Sequence, residues 1–187
     1  ALRVKHAPTA EHSLRVALGC SSWCQAMGLP ESTANEVEVS ALLHDVGKIA
    51  TSDLILKKPG RFNDDEYEIM KQHTLLGAQL FLGRQSEFDD AASQVALTHH
   101  EKWDGSGYPG QIDLVNGLPL TGHTDPVGRA RGKKGTEIPL FGRIVALADV
   151  YDALSSARIY KDAWDESEVL RTIEEEAGKQ FDPLLVE

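Results

Sequence analysis

The sequence predicts an all-α fold, and three observations lead to that prediction. Apolar residues recur at helical spacing in several segments, and residues typical of helix caps bound those segments. The alternation of apolar and polar residues that indicates half-buried strands is nearly absent. With 187 residues, of which 41% are hydrophobic, the chain is long enough for a single domain with a hydrophobic core. We therefore expect one helical domain over residues 1–187.

The first two helices precede the motif HDVGK. Apolar residues at helical spacing predict a largely buried helix over His12–Met27, which Gly28 and Pro30 end. A second helix is predicted over about Ser32–Val46, because the segment VSALLHDV is apolar almost throughout.

Four more helices follow. Asn63 with Glu66 three residues later is the pattern of a capping box, and it precedes the helix EYEIMKQHTLLGAQLFL. The next helix covers roughly Asp89–His100, and another covers FGRIVALADVYDALSS, whose continuation beyond RIVALADV favours a helix over a buried strand. The last, DESEVLRTIEEEAGK, has Asp165 as its cap and Gly178 as its stop.

Composition and charge limit the classes of molecule that the protein is expected to bind. The net charge of −10 argues against a DNA- or RNA-binding protein, which needs a basic face. No apolar run is long enough to span a membrane. Cys20 and Cys24, four residues apart on an apolar helix, are expected to be small core residues, and a reducing cytoplasm is the expected compartment. A small anionic substrate stays compatible with this balance.

Histidines and aspartates embedded in apolar segments predict a metal site. His44 directly precedes Asp45 in ALLHDVGK, and Asp149 lies in VALADVYDAL. Burying such groups is costly unless they are paired or bound to a cation, so convergence on a metal explains them most simply. Imidazole with carboxylate suits iron, manganese, nickel or zinc. The candidates exceed what one ion needs, and with one bridging carboxylate they fit two ions. They are His12, His44, Asp45, His73, His99, His100 and Asp149.

Four motifs occur in order along the chain: HDVGK from His44, HHEKWDGSGYP from His99, DVYDAL from Asp149 and ARIYK from Ala157. This combination resembles the HD-GYP family, a branch of the HD phosphohydrolases, and the similarity extends from about His12 to the segment FDP at 181–183. The resemblance implies an HD-domain helical bundle with an extended GYP loop. It also implies a bacterial phosphodiesterase that hydrolyses cyclic di-GMP to pGpG, with GMP as the product of a second cut.

The resemblance also implies how the candidate ligands divide between two divalent metal ions. A hydroxide between the ions would attack phosphorus. Iron is the expected metal, with manganese, nickel or zinc as alternatives, and Pro8 stands where some members have a glutamate for a third ion. The first ion would be held by His12, His44, Asp45 and Asp149, and the second by His73, His99 and His100, with Asp45 as the bridge.

Substrate contacts follow from the same resemblance. Lys48 is expected to contact the scissile phosphate as a catalytic residue beside Asp45, Tyr108 to line the substrate groove, and Arg158 and Lys161 to bind phosphates. The three cations have structural alternatives: Lys48 could cap a helix, and Arg158 and Lys161 could be solvated surface charges.

Three neighbours of these ligands also have open alternatives. His12 could be a satisfied core histidine. Asp152, one helical turn after Asp149, is either a partner of a ligand or an extra ligand. Glu101 is expected to orient a ligand or to cap the following loop rather than to bind metal.

A basic, glycine-rich insertion at 110–136 departs from the family pattern. It carries Arg129, Arg131, Lys133 and Lys134 in an otherwise acidic protein. Two hypotheses are open: a flexible cationic flap over an anionic dinucleotide, or a mobile solvated loop. A region of this length without secondary structure is typically functional or disordered.

Two other functions compete with hydrolysis of cyclic di-GMP. The same chemistry could act on another cyclic dinucleotide, such as cyclic GMP-AMP, or on a nucleotide. Alternatively, the domain could be a non-catalytic signalling module that docks diguanylate cyclase domains. Because the chain begins at Ala1 rather than at Met, we expect it to be the C-terminal part of a longer signalling protein, preceded by a sensory or receiver domain.

Overall fold

A computed structural model describes residues 5–83, 86–156 and 163–187, and it confirms the all-α prediction. Within these ranges the β-type pairs are three isolated bridges. Short 3-10 helices cover Val46–Ala50 and Gly135–Glu137. Arg158 and Lys161 lie outside the described residues. The α-helices are α1 (Ala7–Ala26), α2 (Glu31–Ala41), α3 (Asp53–Leu56), α4 (Asp64–Gln79), α5 (Glu87–Thr98), α6 (Leu140–Ser155), α7 (Glu166–Glu175) and α8 (Pro183–Val186).

Helix α1 begins five residues earlier than predicted, because His6 rather than His12 is near its start. The His6 side chain accepts a hydrogen bond from the backbone N–H of Thr9, and Pro8 occupies the first turn, where its missing N–H costs nothing. The C-terminal end agrees with the prediction: Gly28 follows with φ of 70°, a conformation that favours glycine.

Helix α2 ends at Ala41, so the predicted extension to Val46 is wrong. From Leu43 onwards the backbone N–H groups donate to carbonyls three residues back, as His44 does to Ala41. Gly47 in this tighter turn approaches α4 so closely that a Cβ there would lie 1.9 Å from the carbonyl oxygen of His73. The tight turn thus places the His44–Asp45 pair against α4.

The capping box of α4 is confirmed, since Asn63 and Glu66 exchange side-chain to backbone hydrogen bonds of 2.8 Å. Asp165 occupies the N-cap position of α7 without a side-chain hydrogen bond, and Gly178 has the left-handed backbone of a helix stop.

The main hydrophobic core lies between α1, α2, α5 and α6. Cys20 and Cys24 are free and fully buried there, as predicted. A second cluster joins α6 to α7 through Leu147, Val169 and Ile173. No helix in the described ranges is both long and apolar enough to cross a membrane.

Candidate metal centre

The His44–Asp45 pair lies at the middle of the site. Both residues are 1% exposed, and His44 Nε2 lies 3.5 Å from Asp45 Oδ2. The His44 ring is held through Nδ1, which is 2.7 Å from the carbonyl oxygen of Ala41. His44 Nε2 and Asp45 Oδ1 are buried and have no hydrogen-bond partner among the described residues. Buried polar atoms left unpaired are costly and rare, so these two indicate a bound ligand.

Two further histidines lie close to Asp45 Oδ1. His73 comes from α4, and its Nε2 lies 3.3 Å from that oxygen, whereas Nε2 of His99, just after α5, lies 3.9 Å from it. Backbone carbonyls hold both rings by Nδ1: Met70 at 2.6 Å for His73, and Val95 and Ala96 at 3.1 Å for His99. The Nε2 atoms are therefore turned towards Asp45, which is the arrangement of metal-binding histidines.

Burial keeps these imidazoles neutral. It lowers the pKa of His73 to about 4 and that of His100 to about 3, and it holds the pKa of His99 well below its usual range. Burial alone would raise the pKa of Asp45, but Lys48 and His44 hold it well below its usual range. Neutral imidazoles beside an ionised carboxylate are the protonation states that a divalent cation requires.

His12 lies between two carboxylates of α6. Its Nε2 is 2.9 Å from Asp149 Oδ1, and its Nδ1 is 2.6 Å from Asp152 Oδ2. Burial lowers the pKa of His12, but hydrogen bonds with Asp149 and Asp152 outweigh burial and raise it to about 9. A cation bound beside Asp149 would therefore compete with the proton on Nε2.

The donor atoms form two overlapping groups, each with all its atoms within 4.8 Å of one another. Asp45 belongs to both groups, and Asp149 lies beside the group that contains His12, because His12 contacts it. The nitrogen and carboxylate donors, together with the unpaired atoms of His44 and Asp45, fit divalent metal ions. One group is Asp45, His73, His99 and His100, and the other is His12, His44 and Asp45.

Lys48 lies at the edge of this centre rather than on the outer surface. Its Nζ is 2.5 Å from Asp45 Oδ2, and its side chain is 21% exposed. The 3-10 helix that follows Asp45 is responsible, because its three residues per turn bring the side chains of Asp45 and Lys48 to the same side. The contact with a buried carboxylate distinguishes this lysine from a simple helix cap.

The GYP loop, residues 101–109, contacts the centre where the ring of Tyr108 stacks on that of His100. Two neighbours of Tyr108 on α4, Tyr67 and Lys71, were not predicted from the sequence. The rings of Tyr108 and Tyr67 meet edge to face at 6.2 Å, and Lys71 Nζ lies 5.3 Å from the Tyr67 ring centroid and 5.7 Å from that of Tyr108. The four-residue spacing of Tyr67 and Lys71, just before His73, was the signal that could have indicated them.

Glu101 closes the loop that follows His99 and His100, in agreement with one of its two expected roles, that of a loop cap. It is 2% exposed, accepts a 2.6 Å hydrogen bond from the Gly110 N–H and a 3.1 Å one from the Lys133 N–H. Burial raises the pKa of Glu101 to about 7. The two N–H donors lie at the two ends of the insertion, so one buried side chain fixes both ends.

Between those ends the insertion folds into two hairpin-like turns, with bridges between Ile112 and Pro119 and between Thr124 and Ala130. Three of its four cations have partners: Arg129 pairs with Asp125, Arg131 with the Gly122 carbonyl and Lys133 with the Gln111 side chain. The insertion, α4 and the GYP loop enclose a groove of about 980 Å³ that Tyr108 borders.

The amino-acid sequence is similar to those of characterised phosphodiesterases. The chain is 37% identical over its 187 residues to the 3'3'-cGAMP-specific phosphodiesterase 2 of Vibrio cholerae, and the match covers 100% of this chain and 32% of the relative. It is 40% identical over 179 residues to a cyclic di-GMP phosphodiesterase of Thermotoga maritima, with 96% and 43% covered. The chain thus spans less than half the length of these curated relatives.

Solved structures share the fold. A protein of Bdellovibrio bacteriovorus described as an HDG"Y"P protein superposes with a TM-score of 0.64 at 19% identity, covering 95% of this chain and 49% of that one. A cyclic GMP-AMP specific phosphodiesterase of V. cholerae gives 0.60 at 23% identity, covering 94% and 42%. The profile of the HD domain matches residues 9–154. As its HD-GYP motifs predicted, the chain belongs to the HD domain family.

Proposed function

We propose that this chain is a metal-dependent phosphodiesterase that hydrolyses cyclic di-GMP to pGpG, with GMP as the product of a second cut. The observation that carries the proposal is the buried Asp45 carboxylate, which belongs to two groups of histidine donors and keeps one oxygen without a hydrogen-bond partner. The names of the relatives support a cyclic dinucleotide as the substrate class.

Two divalent cations, with iron as the proposed metal, would supply a Lewis acid and water of lowered pKa at the phosphate. The chain supplies the positions. Asp45 is the proposed bridge, His12, His44 and Asp149 the remaining ligands of one ion, and His73, His99 and His100 those of the other. Lys48, beside Asp45, would neutralise negative charge that develops on the phosphate.

The remaining substrate contacts are proposed for the GYP loop and the segment after α6. Tyr108 borders the groove of about 980 Å³, a volume within the range of small-molecule sites. Arg158 and Lys161 would bind phosphate oxygens, as the family motif implies. Manganese, nickel and zinc stay alternatives to iron, because the donor set suits each of them.

A second candidate substrate is 3'3'-cyclic GMP-AMP. The observation that favours it is the V. cholerae relative named for this substrate, whose match extends over the whole of this chain. A non-catalytic module that docks diguanylate cyclase domains is less favoured. Docking of another domain would not require buried, neutral His73 and His99 beside an ionised Asp45 that has an unpaired oxygen.

The direct experiment loads the protein with Fe(II) or Mn(II) and supplies cyclic di-GMP, 3'3'-cyclic GMP-AMP and bis(p-nitrophenyl) phosphate in parallel. We expect metal-dependent hydrolysis of all three, with cyclic di-GMP having the highest kcat/KM and pGpG separable by chromatography. Asp45→Asn should abolish turnover, whereas Asp165→Asn, which changes an exposed carboxylate at the N-cap of α7, should not alter it. No hydrolysis by a protein shown to hold two ions would contradict the proposal.

A further inference from the structure

Arg15, Asp152 and His12 form a chain of contacts that leads from the protein surface to the candidate centre. The half-exposed Arg15 donates through Nε to Asp152 Oδ1 at 2.6 Å and through Nη2 to Asp152 Oδ2 at 3.0 Å. Asp152 Oδ2 lies 2.6 Å from His12 Nδ1. The other nitrogen of the same ring, Nε2, is directed at Asp149.

Asp152 has no acceptor position left for a cation. A carboxylate offers about four lone-pair directions. On Oδ1 they are used by Arg15 Nε and by the Ser156 hydroxyl, which donates at 3.2 Å. On Oδ2 they are used by Arg15 Nη2 and His12 Nδ1. Of the two alternatives that the sequence left open, a partner of a ligand therefore fits, and an extra ligand does not.

His12 is held differently from its neighbours. Backbone carbonyls hold the rings of His44, His73 and His99 through Nδ1, and each carbonyl is fixed by the helix or turn to which it belongs. The ring of His12 on α1 is instead held by a side chain of α6. A side-chain carboxylate keeps its place only through its own partners, and here the bidentate Arg15 provides two of them.

We propose that Asp152 is a positioning residue for the metal centre, that it holds His12 with the proton on Nδ1 and with Nε2 directed at the site beside Asp149, and that Arg15 fixes Asp152 in this role. The proposal rests on the proposed function, because it requires a metal ion at His12 and Asp149. It adds Asp152 and Arg15, which lie outside the predicted ligand set. Their loss would weaken the binding of one of the two ions. Binding of the other ion would be unaffected, because backbone carbonyls hold the rings of His73 and His99.

Metal binding tests this role without relying on turnover. We would titrate the metal-free protein with Mn(II) by calorimetry and measure bound metal by elemental analysis. For Asp152→Asn we expect 10- to 100-fold weaker binding of one of the two ions, the usual effect of removing a partner of a metal ligand. The amide keeps one acceptor oxygen and no negative charge, so it cannot accept from Arg15 Nε and Nη2 together, and it attracts the Nδ1–H of His12 less strongly than the carboxylate does. Arg15→Ala should act in the same direction, and Arg15→Lys should be intermediate because lysine lacks the fork.

Asp182→Asn is the matched control. Asp182 is a buried carboxylate that pairs with Arg143 of α6, so its loss also breaks an internal Arg–Asp pair, but it belongs to neither donor group. Folding of each variant would be checked by circular dichroism. Selective loss of one ion in Asp152→Asn with two ions kept in Asp182→Asn supports the role. Wild-type affinities in Asp152→Asn, or equal losses in both variants, would overturn it.

A different result would concern the centre itself. If the wild-type protein binds no divalent ion, the proposed function fails together with the positioning role. If it binds two ions and Asp152→Asn binds them equally tightly, only the positioning role fails.

Discussion

The ring of Tyr108 lies nearly parallel to that of His100, with the centroids 4.8 Å apart and the planes inclined by 26°. The backbone N–H of Tyr108 also donates to the His100 carbonyl at 3.2 Å. His100 in turn meets the ring of His73 edge to face at 5.2 Å. The GYP loop is thus in direct contact with a candidate metal ligand, which joins the two halves of the motif HHEKWDGSGYP.

We predict that Tyr108→Ala weakens both metal binding and catalysis, whereas Tyr108→Phe keeps metal binding. Aromatic pairs contribute about 0.5–1.5 kcal/mol beyond their buried area, so removing the ring should lower the affinity for one ion by about 2- to 12-fold. Phenylalanine keeps the stacked ring and loses the hydroxyl alone. Metal titration and the KM for cyclic di-GMP would be measured for both variants, and equal metal affinities in Tyr108→Ala and wild type would contradict the prediction.

Much of the fold could be predicted because its signals are local. The capping box at Asn63 and Glu66 and the apolar run of α6 each determine a helix from neighbouring residues alone. The end of α2 could not be predicted, because an apolar run such as SALLHDV looks the same in a helix and in a tight turn. The turn that follows α2 brings Gly47 close to α4, a contact between residues that are distant in the sequence.

The candidate site was predictable in composition but not in its connections. Histidines in apolar segments, with the family motifs, indicated the candidate ligands, and the structure brings all of them except Asp149 together in the two groups that share Asp45. Arg15 and Asp152 are 137 residues apart, and nothing in either segment indicates that they pair. Glu101 was expected to orient a ligand or to cap the following loop, but its second partner, Lys133, lies near the far end of the insertion and could be identified only from the fold.

Gly47→Ala should destabilise the protein. A Cβ at this position would lie 1.9 Å from the carbonyl oxygen of His73 and 2.5 Å from the backbone nitrogen of Gly77. Since both are backbone atoms, the turn or α4 must shift. We expect the free energy of unfolding to fall by about 3 kcal/mol, at the upper end for an overpacked site, and metal binding to weaken as His44 moves.

Gly19→Ala is the control for that change. Gly19 lies within α1, and a Cβ there would have no atom within 4 Å. Alanine should raise the free energy of unfolding by about 0.5–1 kcal/mol, because glycine is unfavourable inside a helix. Urea unfolding of the three proteins would separate the outcomes. Two alanine variants of equal stability would contradict the tight contact at Gly47.

Divalent metal should stabilise the wild-type protein against unfolding. A ligand present at 100 times its Kd and bound to the folded state alone adds about 2.7 kcal/mol, so Mn(II) should raise the thermal midpoint and EDTA should reverse the rise. Asp45→Asn removes the carboxylate that we propose as the shared ligand, so the shift should shrink strongly. In Asp165→Asn the shift should equal that of the wild type, and an unchanged shift in Asp45→Asn would argue against Asp45 as the shared ligand.

Shortening the insertion tests whether it contacts substrate. Because Glu101 holds Gly110 and Lys133, and the Gln111 N–H donates to the Arg131 carbonyl at 2.8 Å, residues 112–130 can be replaced by Asn-Gly while both anchors stay. If the removed residues contact the bound dinucleotide, the KM for cyclic di-GMP should rise about fivefold, equivalent to about 1 kcal/mol. The kcat/KM for bis(p-nitrophenyl) phosphate, which is too small to reach the insertion, should not change. An unchanged KM for cyclic di-GMP would show that residues 112–130 make no contact with the substrate.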